Sequence, residues 1–248
     1  MNIKNILNDN NFVFKKKFGQ NFLLDNNILN NIIDLASITK DTLVIEIGVG
    51  AAALTKKLSE KAGKVLGYEI DETLEMPLKE ILKDYNNVDL IFDDFLNRCI
   101  EDDIKNYHYS EIIVVANLPY YITTPIITKF IDENINIERI IVMVQNEVAD
   151  RFSAKVGTKS YNSLTIFLNY YFDIKKAFVV SRNVFYPKPN VDSAIVVFNK
   201  KRETLKNNLS DYDLVKIEEI LVKHGKSLSS RAEELSIDDF AIIVNSLS

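Results

Sequence analysis

Val44-Ile45-Glu46-Ile47-Gly48-Val49-Gly50-Ala51-Ala52-Ala53-Leu54-Thr55 decides the fold: an apolar run, then a turn of small residues, then a helical pattern. The run reads as a buried strand, and a buried strand leading straight into a helix is the first half of a β-α-β unit. Small residues let the turn's backbone approach a ligand closely, and the helix that follows presents free amides. The turn lacks the third glycine of Gly-x-Gly-x-x-Gly and no phosphate-binding lysine follows, which favours a nucleoside site over a phosphate cradle.

Working outward, Lys64-Val65-Leu66-Gly67-Tyr68-Glu69 is the next strand. It ends in an acid about twenty residues past the first glycine, the spacing that lets a carboxylate grip ribose hydroxyls. Glu69 is the expected ribose ligand; a helix-start carboxylate beside Asp71 is the plainer alternative. A third strand, Asp89-Leu90-Ile91-Phe92, runs into Asp93-Asp94-Phe95, where a carboxylate could accept an adenine amino group, Asp94 being preferred to Asp93. A further apolar run, Ile112-Ile113-Val114-Val115-Ala116, delivers Asn117-Leu118-Pro119-Tyr120-Tyr121 to the carboxyl end of a strand, where open α/β sheets place ligands.

That pentapeptide suits a planar amine. An aryl amine is a poor nucleophile because its lone pair is delocalised, and acceptors that hold its hydrogens favour a pyramidal nitrogen. The Asn117 side-chain carbonyl and a main-chain carbonyl near Leu118 or Pro119 can be those acceptors. Pro119 pushes Leu118 toward an extended conformation, and Tyr120 can stack on the base. A turn after a strand, punctuated by Asn and Pro with both tyrosines in the core, would read the same way.

Elsewhere strands and helices alternate as in a parallel sheet covered on both faces. Residues 25 to 36 form a helical stripe capped by Asp25 or Asn26 and expected over the cofactor entrance; Ile140 to Val144 is a strand, and Asn146 to Ala154 and Ser163 to Tyr171 are helices. Asp173 to Val180 and Ala194 to Phe198 are the last two strands. Beyond Asn199 the chain turns charged and helical, which sets a boundary near residue 200 between a large domain, 1–200, and a small helical one, 201–248.

The chain has 248 residues and is 47% hydrophobic, enough for one substantial core with a small appendix. It has no apolar run long enough for a bilayer and no signal-peptide core, and its one cysteine, Cys99, fits a reducing cytoplasm. Neither His108 nor His224 has a cluster of partners, so no metal is expected. The net charge of -5 is acidic for a protein that grips a polyanion. Lys15-Lys16-Lys17 is the exception, a solvated charge run by default and a phosphate contact by position.

Five ordered motifs resemble the ribosomal RNA adenine dimethyltransferase family nearly end to end: Phe18-Gly19-Gln20-Asn21-Phe22-Leu23-Leu24-Asp25, Glu46 to Thr55, Tyr68-Glu69-Ile70-Asp71, Asn117 to Tyr121 with Thr124-Pro125, and Phe185-Tyr186-Pro187-Lys188-Pro189-Asn190-Val191-Asp192-Ser193-Ala194. The resemblance implies a Rossmann-like class I methyltransferase with a seven-stranded, mainly parallel sheet, completed by an antiparallel pair, and a small C-terminal helical domain. It implies S-adenosylmethionine as methyl donor, with Asn21, Leu23, Gly48, Glu69, Asp94 and Asn117 as ligands and Gln20, Gly50, Ile70 and Phe95 beside them.

It further implies dimethylation of two adjacent adenines in the 3′-terminal hairpin loop of small-subunit rRNA, in a pre-30S particle, by a cytoplasmic monomer. Tyr120, Tyr121 and Phe185 would face the adenine and Lys15, Lys16, Lys17, Lys201 and Arg202 the backbone, while Thr123 and Thr124 would leave room for a second methylation, Thr124 serving equally as a helix cap. The alternatives are a large-subunit adenine methyltransferase of the antibiotic-resistance type and an assembly factor that acts by binding. Departures from the family pattern are Val49 for proline, Ala52 for glycine, Glu203 for a basic residue, and a helix-length shortfall before Lys201.

Overall fold

The computed structural model describes residues 21–23, 25–117, 122–155, 158–160, 162–201, 213–230 and 242–243, without the side chains of Ile166 and Tyr170. The chain divides into two compact units, Met1–Lys200 and Lys201–Ser248. In the first unit the strands are β1 (Phe22–Leu23), β2 (Thr42–Ile47), β3 (Lys64–Glu69), β4 (Val88–Phe92), β5 (Glu111–Asn117), β6 (Ile137–Gln145), β7 (Phe172–Val180), β8 (Phe185–Tyr186) and β9 (Ser193–Lys200). Seven of them form one sheet in the order β4-β3-β2-β5-β6-β9-β7. β4 to β6 are parallel, and β9 runs antiparallel to both β6 and β7.

The chain builds outward from β2 through β3 to β4, then returns to lay β5 on the other side of β2. That reversal opens a crevice at the carboxyl ends of β2 and β5, the ligand position of doubly wound sheets. Because side chains alternate across a strand, Leu43, Ile45 and Ile47 join one core layer with Ile126, Ile127 and Phe130, while Val44 joins the other with Leu29, Ile32 and Leu58. Glu46 shares the second face and is buried there, an acid in an otherwise apolar strand.

The helices flanking the crevice start where their sequences permit. α1 (Asn26–Ala36) is capped by Asp25, whose carboxylate accepts from the Asn27 and Ile28 amides at 2.9 and 3.1 Å. Its Leu29, Ile32 and Ile33 are buried, each worth roughly 1.5–3 kcal/mol against exposure. α2 (Ala53–Lys61) has no side-chain cap; its N-cap, Ala52, sits at φ 58°, a conformation that costs an L residue roughly 1–2 kcal/mol. The family glycine that Ala52 replaces would avoid that cost.

Three expectations need correction. β6 begins at Ile137 and ends at Gln145, longer than the apolar run alone suggested, because pairing with β5 starts at Ile137 and pairing with β9 runs to Gln145; the Arg139 guanidinium also donates to Asn199 Oδ1 on β9 and to the Leu35 and Ala36 carbonyls at the end of α1. α6, the helix that follows α3 (Glu75–Ile81), α4 (Ile100–Ile104) and α5 (Thr123–Asp132) in chain order, spans Asn146–Phe152 and stops two residues early. In α5 the N-cap is Ile122 with no side-chain bond, so Thr124 is not the cap; Thr123 is fully buried, and its hydroxyl has no partner among the described residues. α7 (Ser163–Tyr171) has the expected bounds and starts on a capping box between Asn162 and Thr165.

The two-residue strands β1 and β8 pair with each other, Phe22 opposite Tyr186 and Leu23 opposite Phe185. In the second unit, α8 (Leu214–Lys223) is capped by Asp213 and buries Ile217 and Leu221 with Leu228 and Ile243. No helix among the described residues is long and apolar enough to cross a membrane.

Candidate active site

Two glycines shape the turn after β2. Gly48 has φ 82° and donates to the Tyr68 carbonyl at 2.9 Å, and a Cβ on it would lie 3.3 Å from the Asn117 carbonyl oxygen. Gly50 has φ 56°, and a Cβ there would meet the Phe22 ring at 3.0 Å. The turn is therefore in close contact with the end of β5 on one side and with β1 on the other, which only glycines permit. Val49, in the place of the family proline, keeps the turn apolar and packs against Gly67 of β3.

Glu69, the last residue of β3, is 5% exposed. Its Oε2 accepts from the Gly50 amide at 2.8 Å and its Oε1 from the Asp71 amide at 2.9 Å. Burial raises its pKa and those main-chain donors oppose the rise. Glu69 thus holds the turn and keeps spare lone pairs for a ligand. It is not simply a helix-start carboxylate, a role that falls to Asp71, whose Oδ1 accepts from the Thr73 amide.

Asp93 and Asp94 both line the cavity and differ in their partners. Asp93 accepts from the Asp94 amide and pairs with Arg98 at 3.4 Å, whereas Asp94 uses Oδ1 to cap the turn at Leu96, 3.0 Å away, and its Oδ2 accepts nothing from the described residues. Arg98 is held more tightly by Asp103, at 2.5 Å. Phe95 is buried edge-on to Tyr68 with ring centres 4.9 Å apart, and Ile70 is 45% exposed. Asn117 is half-buried, and its Nδ2 donates to the Asn21 carbonyl at 3.3 Å, tying the end of β5 to the segment before β1.

The glycine turn, Glu69, Asp93, Asp94 and Asn117 line one cavity of about 270 Å³, close to the lower end of ligand-pocket sizes, roughly 300–1,000 Å³. Asn21, Leu23, Gly48, Gly50, Glu69, Ile70, Asp94, Phe95, Asn117 and Phe185 are all in its wall, and Thr123 and Thr124 are not. Gln20, Lys15, Lys16, Lys17, Leu118, Pro119, Tyr120, Tyr121, Arg202 and Glu203 lie outside the described residues. Lys201 belongs to the second unit. Phe185 is buried in the layer with Leu23 and Leu29, while its neighbour Tyr186 is 49% exposed. Among the described residues no group of His, Cys, Asp or Glu is arranged to hold a metal ion.

One wall residue carried no role in the sequence reading. Glu46 is 1% exposed and its Oε2 has no hydrogen-bond partner among the described residues. Burial pushes its pKa up to about 8; the Thr55 hydroxyl beside it opposes this and the charge of Glu69 adds to it. The signal was present as an acid inside the apolar run of β2. A buried carboxyl with an unpartnered oxygen, two glycines that a side chain would fill, and the carboxylates of Glu69 and Asp94 together fit a cationic nucleoside.

The sheet order, the glycine turn at its reversal and this cavity define a class I S-adenosylmethionine-dependent methyltransferase. Residues 11–245 match the family described as ribosomal RNA adenine dimethylase. The chain is 43% identical over 276 residues to the ribosomal RNA small subunit methyltransferase A of Streptococcus equi subsp. zooepidemicus, covering 98% of this chain and 95% of that protein. The protein of the same name from Streptococcus mutans is 43% identical over 275 residues, with 98% and 94% covered. This chain belongs to the ribosomal RNA adenine dimethylase family. The 276-residue alignment exceeds the chain's 248 residues, so the relatives carry internal residues that this chain lacks.

Among solved structures, a dimethyladenosine transferase from Plasmodium falciparum superposes with a TM-score of 0.65 at 25% identity, covering 90% of this chain and 96% of that one. The 23S rRNA methyltransferase ErmE superposes with a TM-score of 0.64 at 24% identity over 91% and 99%, a likeness of fold.

Proposed function

We propose that this chain dimethylates N6 of two adjacent adenines in the 3′-terminal hairpin loop of small-subunit rRNA, acting as a cytoplasmic monomer on a pre-30S particle during subunit biogenesis. The observation that carries the reading is Asn117 at the end of β5, in contact with the glycine turn and sharing one cavity with Glu69 and Asp94. Names borne by relatives at 43% identity support the small-subunit target.

In this reading residues 1–200 are the catalytic domain and residues 201–248 a small helical domain. S-adenosylmethionine, when bound, supplies an electrophilic methyl group. Glu69 takes the ribose hydroxyls, Asp94 the cofactor's adenine amino group, and the buried Glu46 carboxyl favours a positively charged ligand once ionised. Ile70 and Phe95 give the nucleoside apolar walls, with Gln20, Asn21 and Leu23 closing the site.

Asn117 and a main-chain carbonyl of Leu118 or Pro119 accept the two hydrogens of the target amine and favour a pyramidal nitrogen. No base is needed beforehand, because the proton leaves after the nitrogen has become cationic. Tyr120 and Tyr121, with Phe185, hold the flipped base.

Mapping N6-dimethyladenosine in rRNA from cells with and without this protein tests the reading. The expected result is loss of both marks from the small subunit. Loss from the large subunit instead would overturn the target, and intact marks with accumulating precursor particles would make the protein an assembly factor.

A further inference from the structure

A second cleft opens at the same sheet edge as the cavity, one strand beyond Asn117. Asn117 is paired with Met143 of β6, and Gln145, two residues further on, is paired with Ser193 of β9. The cleft has a volume of about 430 Å³ and is lined by Gln145, Asn146, Glu147, Arg182, Val191 and Asp192. That volume falls within the roughly 300–1,000 Å³ of ligand sites.

Its walls are held in place by hydrogen bonds that use only part of their donors and acceptors. The Asn146 amide donates to the Asp192 carbonyl at 3.0 Å, and the Arg182 amide to Asp192 Oδ1 at 2.9 Å. The Arg182 guanidinium is anchored through Nη1 to the Asn190 carbonyl at 2.7 Å, which leaves its remaining N–H groups without a partner among the described residues. The side-chain Oδ1 of Asn146 is buried and has no hydrogen-bond partner among the described residues. A buried polar atom without a partner destabilises the folded chain, a cost that a ligand N–H would remove. Val191, 44% exposed, adds an apolar surface beside it.

The chemistry is specific about the occupant. Asn146 Oδ1, Glu147 and Asp192 are acceptors, so they suit a group that donates hydrogen bonds, and the exocyclic amine of a nucleobase is such a group. Carboxylates repel phosphate, but Arg182 at the rim supplies a cation where a backbone phosphate would pass. We propose that this cleft receives the nucleotide adjoining the target adenine, with its exocyclic amine on Asn146 and its phosphate on Arg182. The proposal rests on the reading of the chain as an rRNA adenine methyltransferase. It makes the enzyme read the neighbour's amine while the first adenine is methylated, because a dimethylated neighbour has no N–H left to donate to Asn146.

The test uses the full chain and small-subunit particles assembled on rRNA in which one neighbour of the target adenine is replaced by purine, which lacks the amine. With unaltered particles, absence of methylation by the wild-type protein would overturn the activity itself, independently of the cleft. Given activity, removing the neighbouring amine on one side is expected to lower kcat/KM of the wild type about tenfold, the size of one hydrogen bond between partners that are otherwise left unpaired.

Asn146→Leu should show that loss already with unaltered particles and no further loss with purine. Arg182→Ala should raise KM and leave kcat and the sensitivity to purine unchanged. Stabilisation by S-adenosylmethionine should be the same in wild type and both variants, which separates a misfolded protein from a missing hydrogen bond. A wild type indifferent to purine on either side, or an Asn146→Leu variant as sensitive to it as wild type, would overturn the proposal. So would variants that lose particle binding while wild type remains indifferent to purine, because the cleft would then be holding a ribosomal protein.

Discussion

The Gly50 amide donates a 2.8 Å hydrogen bond to Oε2 of Glu69, so the acid proposed to hold the ribose also clamps the turn that surrounds the ligand. Glu69→Ala should therefore act twice. Cofactor affinity should fall by about 1 to 3 kcal/mol through loss of a charged acceptor, and the ligand-free protein should also unfold more easily because the Gly50 and Asp71 amides lose their partner. Titration calorimetry and urea unfolding read the two effects separately. Unchanged affinity would remove Glu69 from the site.

The pH dependence of stability should carry the mark of Glu46. Its pKa is raised from 4.5 to about 8, so the folded state holds a proton that the unfolded state has released. This contribution is fully present below about pH 4.5 and is lost as pH rises to about 8, the full shift corresponding to on the order of 5 kcal/mol. Glu46→Gln should flatten that part of the profile and leave the ligand-free protein more stable than wild type at about pH 9, above the raised pKa. A positively charged cofactor favours the ionised acid, so wild-type affinity should rise between about pH 6 and about pH 8 and the variant's should not. Parallel wild-type and variant profiles would show that Glu46 does not titrate in this range.

Asn117→Ala should cost turnover and spare cofactor binding. Removal of one preorganised acceptor at the reacting amine is expected to slow methylation about a hundredfold or more. Single-turnover rates and a cofactor titration on the same preparation check it. Equal loss of both would give Asn117 a binding role instead.

Gly48→Ala tests the close approach of the turn to the end of β5. At φ 82°, with a Cβ 3.3 Å from the Asn117 carbonyl oxygen, alanine should destabilise the fold by roughly 1–2 kcal/mol and weaken the cofactor. Chemical unfolding at one pH with and without cofactor measures both. Wild-type behaviour would mean that the turn shifts without cost.

Grip on RNA should show in salt dependence. Replacing Lys15, Lys16 and Lys17 with Ala, or Lys200, Lys201 and Arg202, should flatten the slope of log affinity against log salt by nearly one unit for each phosphate that no longer meets a cation. Cofactor affinity should not move. An unchanged slope in both triple variants would leave neither basic segment on the RNA.

The sequence by itself determined the backbone of the central elements. The apolar run ending at Ile47, the glycines after it and the alternation downstream fix strand, turn and helix through local preferences, and the pattern around Asp173 to Phe198 showed the last two strands. Family motifs likewise brought Glu69, Asp94 and Asn117 forward as site residues. Only the tertiary structure decided which distant groups meet. The pairing of Phe22 with Tyr186 and the approach of Gly48 to the Asn117 carbonyl depend on long-range packing and register. The isolation of Glu46 is of the same kind: sequence placed an acid in a strand, and burial on both faces of the sheet left its Oε2 without a partner. Local conformation is written in neighbouring residues, whereas desolvation and pairing depend on neighbours that only folding supplies.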